Sequence, residues 1–303
     1  MSSKGSEYLN PKDCRTSHSR EQDLREIIEC CKSIFNSAVG GNFFNDHNLK
    51  LEFFHLENGT SVYAQFCKKY FPAYLTKYYD DFTKEGYMDS FEAQAFINGD
   101  VYGILCSLDS DMEPNRWYEI ILHELVHIYC TTHEIGGDNF FDKFCVNKET
   151  GNIDSTIGTG YALWREFIAY YWGANLDPFS DQLSLVQVRE KVREIDKEVD
   201  AENPSAKMLV SQILAYIFRN PEVYHAANAT AAYELLEKNK VFDSDTQIKY
   251  YQPLLQAIFE QLAKDDYCKI TFSFIEDLGF AYTNMVVRRK VEALWNGRLI
   301  SLD

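Results

Sequence analysis

Between Trp117 and Tyr129 the chain runs WYEIILHELVHIY, with no charge except Glu119 and Glu124. A helix that is apolar nearly all round belongs in a protein interior, yet this one must take His123, Glu124 and His127 inside with it. Residues four apart lie one above the other on a helix, so the two imidazoles share a face and Glu124 is turned to one side. Burying such groups without partners costs on the order of 2 to 7 kcal/mol for each uncompensated one. A metal ion removes that cost, since two rings at this spacing reach one ion at about 2.0 to 2.1 Å. Glu124 is then placed to take a proton from a metal-bound water. The competing reading is a core helix whose histidines bond to neighbouring backbone.

The motif His123-Glu124-Leu125-Val126-His127, flanked by uncharged and mainly apolar residues, resembles the signature of the zincin superfamily of metallopeptidases. The resemblance covers Glu113 to Trp172. It implies one catalytic zinc per chain, hydrolysis of peptide bonds with Glu124 as general base, and a peptide or protein substrate. A catalytic zinc also needs a third protein ligand and an open position. Glu166 lies in a second apolar run, Tyr161 to Gly173, whose only charges are Arg165 and Glu166. It is similar in placement to the gluzincin glutamate supplied by a later helix, and is the expected ligand. One departure is that thermolysin-like members carry Asp four residues further on to orient a ligand histidine, where this chain has Tyr170.

His133 is the rival, because it stands ten residues after His123 and fits the metzincin spacing. The glycine of that pattern is replaced by Cys130, which takes the required positive φ reluctantly. No methionine lies between Met112 and Met208 to form the turn that underlies a metzincin site. Asp138, Asp142 and Asp154 are further carboxylates within reach in sequence. Hydrolysis also needs a donor for the oxyanion; Tyr170, Tyr171 and His225 are the candidates, with Tyr161 beside them.

Ahead of the metal helix, Ala93 to Ile97 and Asp100 to Cys106 flank Asn98-Gly99, a strong hairpin signal because both central residues of a type I′ turn take positive φ. In zincins the strand before the active-site helix is the sheet edge on which an extended substrate lies, which would put Gly103 where a backbone approaches closely. Pro114 and Asn115 mark a helix start. Residues 21 to 39 and Ser61 to Lys84 read as amphipathic helices, and residues 40 to 60 hold a candidate strand. Beyond Pro178 everything reads as helix: Gln182 to Asp200, Ala206 to Arg219, Val223 to Lys238, Asp245 to Lys264 and Phe272 to Trp295, with Pro204 and Pro221 at helix starts. The expected fold is α+β and predominantly helical. A zincin-like region with a small sheet and the active-site helix occupies 1–180, and an all-helical C-terminal lobe occupies 181–303.

A net charge of −16 argues against a nucleic-acid partner. Nothing approaches the length of an apolar membrane span, and Met1-Ser2-Ser3-Lys4-Gly5 lacks a signal peptide's apolar core, so a cytoplasmic location is expected, with signal-free export the alternative. Eight cysteines without CxxC spacing read as reduced, mostly buried thiols. Oligomeric state is not legible. The leading reading is a zinc metallopeptidase; the alternative is a catalytically inactive zincin-like binding or regulatory protein that works through its helical lobe.

Overall fold

The computed structural model describes residues 20–75, 91–109, 113–133, 140, 144, 145, 155–199, 203, 205–264 and 269–300. The described residues are mostly helical with one small sheet, and the chain divides into two compact units, 1–124 and 125–303.

The first unit opens with α1 (Arg20–Ala38), which buries Leu24, Ile28, Cys31 and Phe35 at alternating spacings of four and three, the stripe that seats a helix on a core. The strand anticipated within 40–60 is β1 (Leu49–Phe54). A 3-10 turn then leads into α2 (Gly59–Tyr70). The helix expected to run from Ser61 to Lys84 is therefore interrupted at Phe71, and residues 72–75 are helical again. Phe71 precedes Pro72, whose ring disfavours the α conformation at the preceding residue. Phe71 leaves it at φ −135°, ψ 55° and buries its ring against Phe66 and Phe96. Residues 76–84 lie outside the described residues.

The hairpin forms as β2 (Ala93–Asn98) and β3 (Val101–Ser107). The sheet order is β1-β3-β2, with β1 parallel to β3 and β2 antiparallel to it. Three details depart from expectation. Asn98 pairs with Val101, so the turn residues are Gly99 and Asp100, and only Gly99 has positive φ (+56°); this is the glycine-first requirement of a type II′ turn. Among the described residues β3, the strand preceding the His123–His127 helix, is central, and β2 is at the edge. Gly103 serves packing instead of a ligand: a Cβ there would lie 2.6 Å from the Phe71 ring and 2.9 Å from Phe66. The face of β2 carrying Phe96 closes on Tyr63, Phe66 and Phe71, and Ala93 and Ala95 occupy the opposite face.

The helix α3 (Pro114–Thr132) begins at the expected proline and carries the chain across the division between units, which falls after Glu124. The second unit continues with α4 (Ser155–Leu176), α5 (Leu185–Asp196), α6 (Ala206–Phe218), α7 (Pro221–Tyr224), α8 (Ala229–Lys238), α9 (Asp245–Leu262) and α10 (Phe272–Ile300). Val223 to Lys238, expected as one helix, is broken because Asn228 caps a fresh start, its side chain accepting from the Ala231 amide. Pro221 sits at the first position of α7, and Pro204 lies outside the described residues. At the crossing of α4 and α10, Gly160 and Gly279 bring the two backbones together: added Cβ atoms would meet the Ile275 carbonyl at 1.9 Å and the Thr156 carbonyl at 2.1 Å. Asp196 at the end of α5 accepts hydrogen bonds from Tyr251 of α9 (2.6 Å) and Arg289 of α10 (2.5 Å).

No helix among the described residues is long and apolar enough to cross a membrane. No disulfide joins the described cysteines, of which Cys30 is exposed and Cys31, Cys67, Cys106, Cys130 and Cys145 are buried.

Candidate metal centre

The apolar surface of α3 is packed as its composition requires, with Trp117, Ile121, Leu122, Leu125, Val126 and Ile128 buried. The helix stays unbroken through Cys130 to Thr132, and the His133 amide still donates to the Tyr129 carbonyl at 2.8 Å. This regularity disposes of the rival ligand. On a straight helix His133 stands about 9 Å further along the axis than His127, and its exposed ring stacks on Tyr129 with centroids 4.0 Å apart. The glycine that bends a metzincin chain back towards the metal is Cys130 here, and no bend occurs.

Glu166, on α4, is brought to the histidines. One donor atom from each of His123, His127 and Glu166 lies within 4.8 Å of the others, the only such group of His, Cys, Asp and Glu among the described residues. His127 Nε2 and Glu166 Oε1 are 3.4 Å apart. Two ligands bound tetrahedrally at about 2.0 to 2.1 Å are separated by about 3.3 to 3.4 Å, so this pair is already spaced for one ion. His127 is 8% exposed. Tyr129, two residues after His127, meets the edge of Trp172 on α4 (5.6 Å, 82°), and this contact fixes α3 against α4 close to the donors. Asp138, Asp142 and Asp154 lie outside the described residues. The site can hold a metal ion.

Glu124 leaves the histidine face and reaches the sheet. Its Oε2 accepts a hydrogen bond of 2.7 Å from the backbone N–H of Ala95 on β2. Burial first, and then the Glu124 carboxylate, push the thiol of Cys106 on β3 far above the ordinary range, so it stays protonated beside the site.

The candidate oxyanion donors are scattered among different roles. Tyr170 follows Glu166 by four residues and therefore shares its face of α4; it is half-buried. Tyr171, one position on, is buried and stacks on Phe167 (5.6 Å, 8°) and beside Tyr224 (6.3 Å). His225 is exposed just after α7, its ring edge-on to Tyr224. Tyr161 stacks on Phe140. Of these, Tyr170 is the one that helix geometry aligns with a metal donor.

Sequence reasoning missed Ala95, because a backbone amide has no side-chain signature, and it missed the Tyr129–Trp172 contact, which pairs residues far apart in sequence. No known protein family, curated protein or solved structure matches the chain.

Proposed function

We propose that this protein is a zinc-dependent metallopeptidase in which His123, His127 and Glu166 hold the ion and Glu124 is the general base. The observation that carries the reading is the meeting of the three donors, with His127 and Glu166 at the 3.4 Å separation a tetrahedral site needs. A His, His, Glu set is a catalytic type that leaves one position for water or substrate. Zinc held there would supply Lewis-acid chemistry, polarising a peptide carbonyl and acidifying water.

The chain's own residues supply the rest. Glu124 accepts the proton of the attacking water and returns it to the leaving amine. Tyr170, aligned with Glu166, is the proposed donor to the oxyanion. The outer side of β2, the edge strand among the described residues, carries main-chain groups of the kind with which an extended peptide pairs.

Metal analysis of the purified protein beside His123→Ala and Glu166→Ala, followed by turnover of a fluorescent casein by wild type and Glu124→Gln, tests the proposal. The expected result is about one zinc per chain in wild type and Glu124→Gln, loss of zinc in the two ligand variants, and casein cleavage by wild type alone. A wild type that takes up no added zinc would sink it. So would zinc-loaded wild type and Glu124→Gln cleaving casein equally.

A further inference from the structure

The register of the hairpin says which backbone groups of β2 face outward. The Ser107 N–H donates to the Glu92 carbonyl, and in an antiparallel pair hydrogen-bonded and non-hydrogen-bonded positions alternate. Gln94, Phe96 and Asn98 therefore bond to β3, while Ala93, Ala95 and Ile97 direct both N–H and C=O to the edge of the sheet. Of these three, Ala95 lies in the middle, and its N–H is engaged by Glu124 Oε2 at 2.7 Å. A peptide adding as a strand to β2 needs that same N–H for one of its own carbonyls. The carboxylate and the substrate compete for one donor.

Resting on the metallopeptidase reading above, we propose that Glu124 is held on the edge strand by the Ala95 amide in the empty enzyme, and that a peptide pairing with β2 takes over the amide and releases the carboxylate for proton transfer. The general base is thereby withheld until a peptide main chain lies along Ala93, Ala95 and Ile97. The bond given up is charge-assisted and the bond gained is neutral, and charge-assisted bonds are roughly twice as strong. A peptide must consequently recover the difference elsewhere along the edge. Short ligands that reach Ala95 alone are disfavoured, and extended peptides that also engage Ala93 and Ile97 are favoured.

The test uses two zinc-loaded variants that lack the base. Glu124→Gln keeps an oxygen that accepts from Ala95, and Glu124→Ala has none. Deuterium exchange at the Ala95 amide, read by mass spectrometry with fragmentation, should be slow in wild type and Glu124→Gln and at least about tenfold faster in Glu124→Ala. Oxidised insulin B chain, used as a generic extended peptide, should bind Glu124→Ala about threefold to tenfold tighter than Glu124→Gln, the worth of one released hydrogen bond. Its binding should restore slow exchange at Ala95. Should Glu124→Ala fail to fold, Glu124→Met provides a side chain of similar length without an acceptor. Exchange at Ala95 as slow in Glu124→Ala as in wild type would overturn the competition while leaving the peptidase reading standing, and so would equal affinity of the two variants for the B chain. Fast exchange in Glu124→Ala with no B-chain binding by either variant would overturn the peptidase reading itself.

Discussion

Replacing Gly160 by alanine tests whether the seating of α4 determines the metal centre. In an exposed helix interior this change gains about 1 kcal/mol, because glycine loses more backbone entropy. Here the new methyl would stand 1.9 Å from the Ile275 carbonyl and must retreat beyond 3.0 Å, so the helices must part by at least 1.1 Å. The obstacle is backbone, which cannot rotate aside as a side chain does. Overpacking of this kind costs about 1 to 3 kcal/mol and sometimes more, and the upper end applies, leaving a net loss of about 2 kcal/mol. For a unit of this size that lowers Tm by about 4 to 8 °C. Glu166 rides on the same helix, and metal bonds tolerate about 0.2 Å of misplacement. Zinc affinity should therefore fall at least about tenfold, measured by competition with a chromophoric chelator. Gly41→Ala, where an added Cβ meets nothing within 4 Å, is the control and should leave both quantities unchanged. A Gly160→Ala protein melting at or above wild type with unaltered zinc affinity would refute the reasoning.

Other perturbations test other parts of the structure. The hydrogen bond from His55, followed by that from the Leu56 amide, holds the Asp109 carboxyl below its ordinary 3.8. A carboxyl depressed in the folded state stabilises it fully above the unfolded value and loses that contribution as pH falls through the folded one. Urea unfolding between pH 3 and 5 should accordingly show a shallower acid loss for Asp109→Asn, and parallel curves would count against the pair. Arg289→Ala leaves the buried Asp196 carboxylate short of its cation and should cost about 3 kcal/mol, while Tyr251→Phe removes one hydrogen bond and should cost about 1 to 2; urea midpoints in the opposite order would contradict this ranking. Iodoacetamide should modify Cys30 first among the described cysteines. Burial pushes the Cys67 thiol to about 12 and shields Cys106, so both should react only on unfolding, as peptide mass mapping would show.

The metal helix was legible because its message is local: two histidines four apart in an apolar run say both where the helix lies and what its polar groups require. Glu166 could be found because its own apolar run isolates one carboxylate, although its approach to His127 depends on the packing of α4. The helices after Pro178 followed from their pattern and from Pro221 at a helix start, whereas the caps that set their first turns, Ser184, Asn228 and Ser244, each receiving the amide three residues on, were not read. What escaped was set by competition between neighbours or by distance. Phe71-Pro72 ended α2 inside a run that still looked amphipathic. The inward Phe96 fixed a strand register that moved the turn one residue beyond Asn98. Gly103 read as a place for a ligand and proved to be a place for two aromatic rings.

The hydrogen bond between Glu124 and Ala95 also bears on how the protein keeps to itself. An edge strand is a template on which another chain can add, β2 is last in the sheet among the described residues, and Ala-Gln-Ala-Phe-Ile has no charge to discourage pairing. A carboxylate docked at the middle of that edge places a negative charge and an occupied donor where a second strand would begin to pair. A variant that trades Glu124 for alanine thus loses a guard against aggregation along with the proposed base, whereas Glu124→Gln still occupies the amide. Poor solubility confined to the alanine variant would have its origin in the sheet edge and not in the metal.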